Sequence, residues 1–188
     1  MQPVTDLTGK LLIAMPGMAD PRFASAVVFL CAHSEEGAMG LLINRPASGI
    51  TLGDLFEQLS IECESDAGAA KVLSGGPVEE ERGFVLHSGE YRSAISSVKV
   101  TPGLTMTATM DIMEDLAAGT GPLRSLVVLG YCGWGAGQLE GELAQNAWLT
   151  SDAPESLVLD PDVSSKWEAA LSLLGVNPAT LSAAAGRA

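Results

Sequence analysis

An α+β fold with a mixed, largely antiparallel sheet is predicted by three features of the 188-residue chain. Strand-like runs follow one another without regular βαβ alternation, helices are interspersed singly, and the second and third runs are joined by a link too short for a crossover. No internal repeat or linker breaks the chain, so residues 1–188 read as one domain, and a hydrophobic content of 47% can supply its core.

The elements follow in order. "GKLLIAM" and "SAVVFLCAH" are aliphatic and β-branched runs separated by the Pro/Gly/Asp-rich "PGMADPRFA", and "GAMGLLINR" returns through "SEEG" as a hairpin. Pro46 is expected to end that strand, because it cannot donate a ladder hydrogen bond. "TLGDLFEQL" predicts a helix with Thr51 as N-cap, Asp54 three residues on, and Leu55, Phe56 and Leu59 on one face. "IECESDAGAA" reads as a polar, acidic connection or a short irregular helix. "KVLSGGPV" and "RGFVLHS" read as strands around a Gly-Gly-Pro turn, and "LTMTATM" alternates with the period of a half-buried strand. "DIMEDLAAG" is a helix stopped at Gly119. "LRSLVVLG" is nearly continuous in apolar residues and so a central strand. "SLVLD" reads as a strand, and "SSKWEAALSLLGV" as a helix with a Ser165/Glu168 capping box and Trp167, Ala170, Leu171 and Leu174 on one face. "NPATLSAAAGRA" adds a last helical turn before a small-residue tail.

Composition limits function. With 23 Asp and Glu against 10 Lys and Arg the net charge is -13, and the cations form no run. Such a field repels phosphate backbones, which disfavours direct nucleic-acid binding. No stretch of about 18 apolar residues suggests a membrane span, and "MQPVTDLTGK" lacks the features of a signal peptide, so a soluble cytoplasmic protein is expected. Cys31, Cys63 and Cys132 are odd in number and widely spaced. They suggest free thiols, with one disulfide plus a spare thiol as the alternative, and no metal or cofactor is expected from them.

Several stretches hold chemically capable groups. "AHSEEGAMGLLINRP" places His33, Glu35 and Glu36 at a hairpin tip, a possible acid/base or metal pair whose plainer reading is a solvated turn. Asn44 and Arg45 precede Pro46, where extended backbone could aim the guanidinium at a carboxylate or an anionic ligand. In "SGGPVEEERGFVLH" the Gly75–Gly76 turn could form an anion nest with Arg82, although Glu79, Glu80 and Glu81 oppose an anion there, and His87 closes the run.

"GYCGWGAGQLEGELAQNAW" is the densest. It lacks the Lys and hydroxyl of a P-loop and the spacing of a dinucleotide fingerprint. Cys132 follows the strand as a nucleophile would, but Trp134 stands where an elbow requires glycine. Leu139, Leu143 and Ala147 face the core. Tyr131, Trp134, Gln138 and Asn146 are candidates to edge a ligand cleft or partner surface, with Trp148 near them and core packing as the alternative for the tryptophans. Arg45 and Arg82 complete that candidate surface.

Read together, these three stretches resemble the YqgE/AlgH family of bacterial proteins, and the likeness runs from "GKLLIAMPGMADPRFASAVVFL" to "WEAALSLLGVNPATLS". The resemblance implies a bifurcated mixed sheet partly closed into a small barrel, surrounded by helices. It implies no activity and no catalytic residues; the family's transcriptional-regulator label rests on a phenotype in one branch. Cys132 stands where the motif is expected to carry a small Ala or Ser. The leading expectation is a non-enzymatic binding or regulatory module acting indirectly through a protein or small ligand. A hydrolase using Glu35, Glu140 or Glu142 is the alternative, and direct transcriptional regulation comes third.

Overall fold

A computed structural model describes residues 5–179. The sheet contains ten strands, β1 (Lys10–Ala14), β2 (Val27–Ser34), β3 (Gly37–Leu42), β4 (Pro46–Thr51), β5 (Lys71–Ser74), β6 (Val78–Ser88), β7 (Val98–Thr101), β8 (Leu104–Thr107), β9 (Ser125–Gly135) and β10 (Trp148–Asp152). Among the described residues five α-helices accompany them: α1 (Leu52–Gln58), α2 (Met110–Ala118), α3 (Gln138–Ala144), α4 (Glu155–Val158) and α5 (Lys166–Leu173). The strand order is β10-β1-β2-β3-β9-β6-β8-β7, with β4 and β5 off this path. Every pairing is antiparallel except that of β5 with β9. The fold is α+β, and the sheet curls into a half barrel.

β9 organises the molecule. One of its edges carries β6, while the other carries β5 at Val128–Leu129 and then β3 at Cys132–Gly135. The sheet forks there. Gly130 lies at the fork with φ +80° and turns the strand over. Before it Leu126 and Val128 point into the same core as Phe29 and Leu86; after it Tyr131 takes that side and Cys132 and Trp134 point to the other.

Three apolar clusters result. The largest fills the half barrel and is closed by Val158 of α4 with Leu159 just after it, and by Ala170 and Leu171 of α5. The second lies on the other face of β1, β2 and β3, where Leu139 of α3 covers it with Trp134 and Trp148. The third packs α1 and α2 on Val72, Val85 and Val127. Lys166 is buried at the first, its Nζ donating to the carbonyls of Ile43 (3.0 Å) and Val158 (2.8 Å), and burial pulls its ammonium down to about 8.

The Thr51/Asp54 capping box is present, and Gly119 ends α2 in the left-handed conformation as expected. Other expectations are corrected. Pro46 opens β4 instead of closing β3, a first-residue position where a missing N–H costs nothing. β5 and β6 flank the Gly-Gly-Pro turn as expected, and they pair with β9 on opposite edges. "SLVLD" begins inside α4 and is no strand: the Pro154 carbonyl accepts from Leu157 and Val158 N–H, and a short apolar run suits a buried helical turn as well as a strand. Ser165 makes no capping bond, its hydroxyl turning to Asp162, and Leu174 is 39% exposed. The end of the expected C-terminal turn and tail, residues 180–188, lies outside the described residues.

His87 is fully buried between β8 and β9. Its Nδ1 donates to Ser88 O and its Nε2 accepts from Thr107 Oγ1, each at 2.8 Å. Burial pushes its ionisation below the ordinary 6.5, outweighing the Ser88 carbonyl and the Glu90 charge. The unfolded chain therefore binds a proton more readily than the native one, so the His87 contribution is intact above about pH 6.5 and is lost as the pH falls below it. Denaturant midpoints measured from about pH 7.5 to about pH 5.5 should fall, and His87→Gln should flatten the fall.

Candidate ligand groove at the strand-to-helix junction

The diagnostic stretch is strand as far as Gly135, so Trp134 belongs to β9 and not to a turn. The turn itself is short: Gly135 N–H donates to Gln138 Oε1 (3.0 Å), and Gly137 adopts φ +75° before α3. Asn146 then leaves the helix with φ +59°, a conformation Asn tolerates, and leads into β10.

Glu142 ties these pieces together. Its Oε1 accepts the indole N–H of Trp134 (3.3 Å) and of Trp148 (3.0 Å), whose rings meet edge to face at 6.3 Å. Phe23 packs on Trp148 in the same manner at 5.7 Å. Trp134 is 7% exposed. It is thus a core residue that also forms a wall of a groove of about 780 Å³, together with Met15, Met18, Phe23, Gln138, Gln145 and Asn146. Pro77 and Val78 close one side and the Asp20–Arg22 pair another.

Of the six residues expected at one surface, Trp134, Gln138 and Asn146 line this groove. Tyr131 does not: it lies three residues from Trp134 in β9, so strand alternation puts the two side chains on opposite faces. There it packs on Phe84 at 5.9 Å, and a hydrogen bond with Glu79 raises its phenol above the ordinary value. Arg82 lies with it, over the Phe84 ring at 5.1 Å and paired to Glu79 at 3.5 Å. Arg45 serves the backbone, donating to the carbonyls of Arg22 and Ala24 (2.9 Å to Ala24), and Asn44 bonds to Val27 N–H and Ser25 O. Met15, Met18 and Phe23 had no sequence signal, since they sit in a connector whose Pro and Gly mark only a turn.

The other candidates are engaged elsewhere. His33 Nδ1 accepts Leu7 N–H (3.0 Å), so Nε2 carries the proton shared with Glu140 Oε1 at 2.6 Å. Both nitrogens are used to hold the N-terminal segment, the hairpin and α3 together. The bond from His33 also holds the Glu140 carboxyl below its usual range. Glu35 is exposed in the hairpin turn, away from both. Among the described residues no group of three or more His, Cys, Asp and Glu has metal-binding geometry.

The Gly75–Gly76 turn packs against β9 instead of forming a nest. Gly75 N–H donates to Leu129 O (2.7 Å), while its carbonyl accepts Leu42 N–H (2.9 Å) and the Cys132 thiol (3.3 Å). All three cysteines are free. Burial pushes the thiols of Cys31 and Cys132 up to about 12, so neither offers a thiolate near neutral pH. In the native protein a thiol reagent should modify exposed Cys63 rapidly and the other two only after unfolding; fast reaction at Cys132 would restore the nucleophile reading.

No helix among the described residues is long and apolar enough to cross a membrane. Residues 11–179 match the model of the AlgH-like family. The chain is 56% identical over 184 residues to a UPF0301 protein of Ruegeria pomeroyi, an alignment covering 97% of this chain and 100% of that one. A UPF0301 protein of Jannaschia sp. is 54% identical, with 97% and 96% covered. Among solved structures, the AlgH protein of Pseudomonas aeruginosa superposes with a TM-score of 0.80 at 44% identity, covering 97% of this chain and 96% of that one. A Corynebacterium diphtheriae protein superposes with a TM-score of 0.72 at 18% identity over 92% and 90% of the two chains, a likeness of fold alone. The chain belongs to the AlgH-like family.

Proposed function

We propose that the chain is a binding module that receives a small ligand or a partner segment in the Trp134 groove and exerts any regulatory effect indirectly. The chemistry of the groove walls carries this reading. Thioether, aromatic and amide groups face the space; of its charged lining residues Asp20 and Arg22 pair with each other and Glu142 holds two indoles, while His33 is committed to Leu7 and Glu140. Such a surface supplies apolar contact area and orienting hydrogen bonds, the usual ingredients of recognition. The carboxylates a hydrolase would use are structural partners or lie in the hairpin turn.

Gly17 lines the groove with ordinary backbone geometry, and an added Cβ there meets nothing within 4 Å. Gly17→Phe should therefore fold normally and fill the space. Capture from source cells, read by mass spectrometry of proteins and metabolites, should give species retained by the native protein and lost with Gly17→Phe. Identical profiles would refute the groove as the binding surface. Direct action on DNA is disfavoured by the charge of -13. The pure protein should leave duplex DNA unshifted at physiological salt, and salt-sensitive retention would overturn that part.

A further inference from the structure

Two cations of this acidic chain share one cavity and make no ion pair. Among the described residues, Lys10, Arg22, Arg82 and Arg124 pair with carboxylates. Arg45 and Lys166 donate to backbone carbonyls. Arg92, Lys99 and Lys71 do neither. Arg92 and Lys99 line one cavity of about 440 Å³ at the β7–β8 end of the sheet, remote along the strand order from β10, and Lys71 lies outside it. The hydroxyl residues Ser93, Ser96, Ser97 and Thr105 share its wall, and none of the ten lining residues is acidic, although the chain has 23 Asp and Glu.

The acids behind this wall are occupied. Asp111 accepts from Ser93 Oγ (2.6 Å), Thr109 Oγ1 (2.5 Å) and Ala94 N–H (2.9 Å). Asp115 takes the Tyr91 hydroxyl at 2.5 Å, and Glu90 takes Ser88 Oγ and Leu123 N–H. The same bonds fix the loop. Ser93 Oγ accepts the N–H of Ile95 (3.0 Å) and Ser96 (3.2 Å), Ser97 Oγ accepts Ser93 N–H (3.1 Å), and Ser97 in turn joins Thr107 and so His87. A loop held in this way presents its cations without a large ordering cost on binding.

We infer that this cavity binds a phosphate monoester. The Arg92 guanidinium can fork onto two phosphate oxygens and the Lys99 ammonium adds a point charge, with the Ser96 hydroxyl as a neutral donor beside them. Tyr91 and the exposed Ile95 flank space larger than a bare phosphate needs, which suits the organic part of an ester. The site is separate from the Trp134 groove and does not depend on it.

Backbone amide spectra recorded while adding phenyl phosphate or inorganic phosphate, against sodium chloride at equal ionic strength, test this. Phenyl phosphate should move the amides of residues 92–99 more than chloride does and bind several-fold more tightly than inorganic phosphate. Arg92→Ala and Lys99→Ala should each weaken it about tenfold, whereas Lys71→Ala, a change of another unpaired cation outside the cavity, should not. Both replaced side chains are exposed, and the same spectra report whether each variant is folded. Shifts equal to those in chloride, undiminished affinity in both variants, or tighter binding of inorganic phosphate would each overturn the proposal.

Discussion

Gly76→Ala is expected to prevent the protein from accumulating in its native fold. A Cβ at this position would lie 2.2 Å from both the carbonyl carbon and oxygen of Tyr131 and 2.6 Å from Cys132 N, all backbone atoms, with φ at +151°. Neither strand nor turn can yield without losing the pairing at the fork. The expected loss is about 4 kcal/mol or more, enough to erase most of the stability of an ordinary domain. Gly49→Ala supplies the comparison, because its φ of +72° is also positive but nothing lies within 4 Å of the added carbon. That change should cost about 1–2 kcal/mol. Soluble yield and thermal unfolding of the two variants distinguish them, and near-native stability of Gly76→Ala would show that the turn does not seat on β9 as described.

Glu142→Leu is the second change with a large expected effect, about 2–4 kcal/mol, because it strands two indole N–H groups in an apolar cluster at once. Glu142→Gln keeps an acceptor and should cost about 1 kcal/mol. Adding Trp148→Phe to Glu142→Leu removes one of the stranded donors. The double variant should therefore lose less than the sum of the single losses, and strict additivity in denaturant unfolding would contradict the shared carboxylate.

The sheet was legible where patterns were long. β1, β2, β3, α1, α2 and the apolar half of β9 declared themselves through β-branched runs, a capping box or a glycine stop. β4, β7 and β10 did not, because each is four to six residues with mixed polarity and gains its identity from the strand it joins. Pro46 and "SLVLD" were misread for a related reason: local chemistry set limits at these points, and tertiary partners chose between the allowed outcomes. The bifurcation itself came from the family resemblance, and its physical cause is the reversal of β9 at Gly130.

At the groove, the glycine-rich motif drew attention to the junction at which Trp134, Gln138 and Asn146 line the space. It could not reveal that the strand runs on to Gly135, so that simple alternation puts Tyr131 and Trp134 on opposite faces. Nor could spacing show that Glu142 reaches two indoles, or that the opposite wall comes from Met15, Met18 and Phe23, more than a hundred residues away in the chain. His33 and Glu140 are similarly remote in sequence. Their contact turns two candidate catalytic groups into a brace.

The most direct test is a spectrum of the backbone and indole N–H groups of the intact protein during a screen of small aromatic and amide fragments. Binding in the groove predicts that hits displace the Trp134 indole signal and the amides of Gly133, Gln138, Gln145 and Asn146, and that Gly17→Phe abolishes the response. Fragments that bind elsewhere while leaving these signals fixed would contradict a recognition role for the groove.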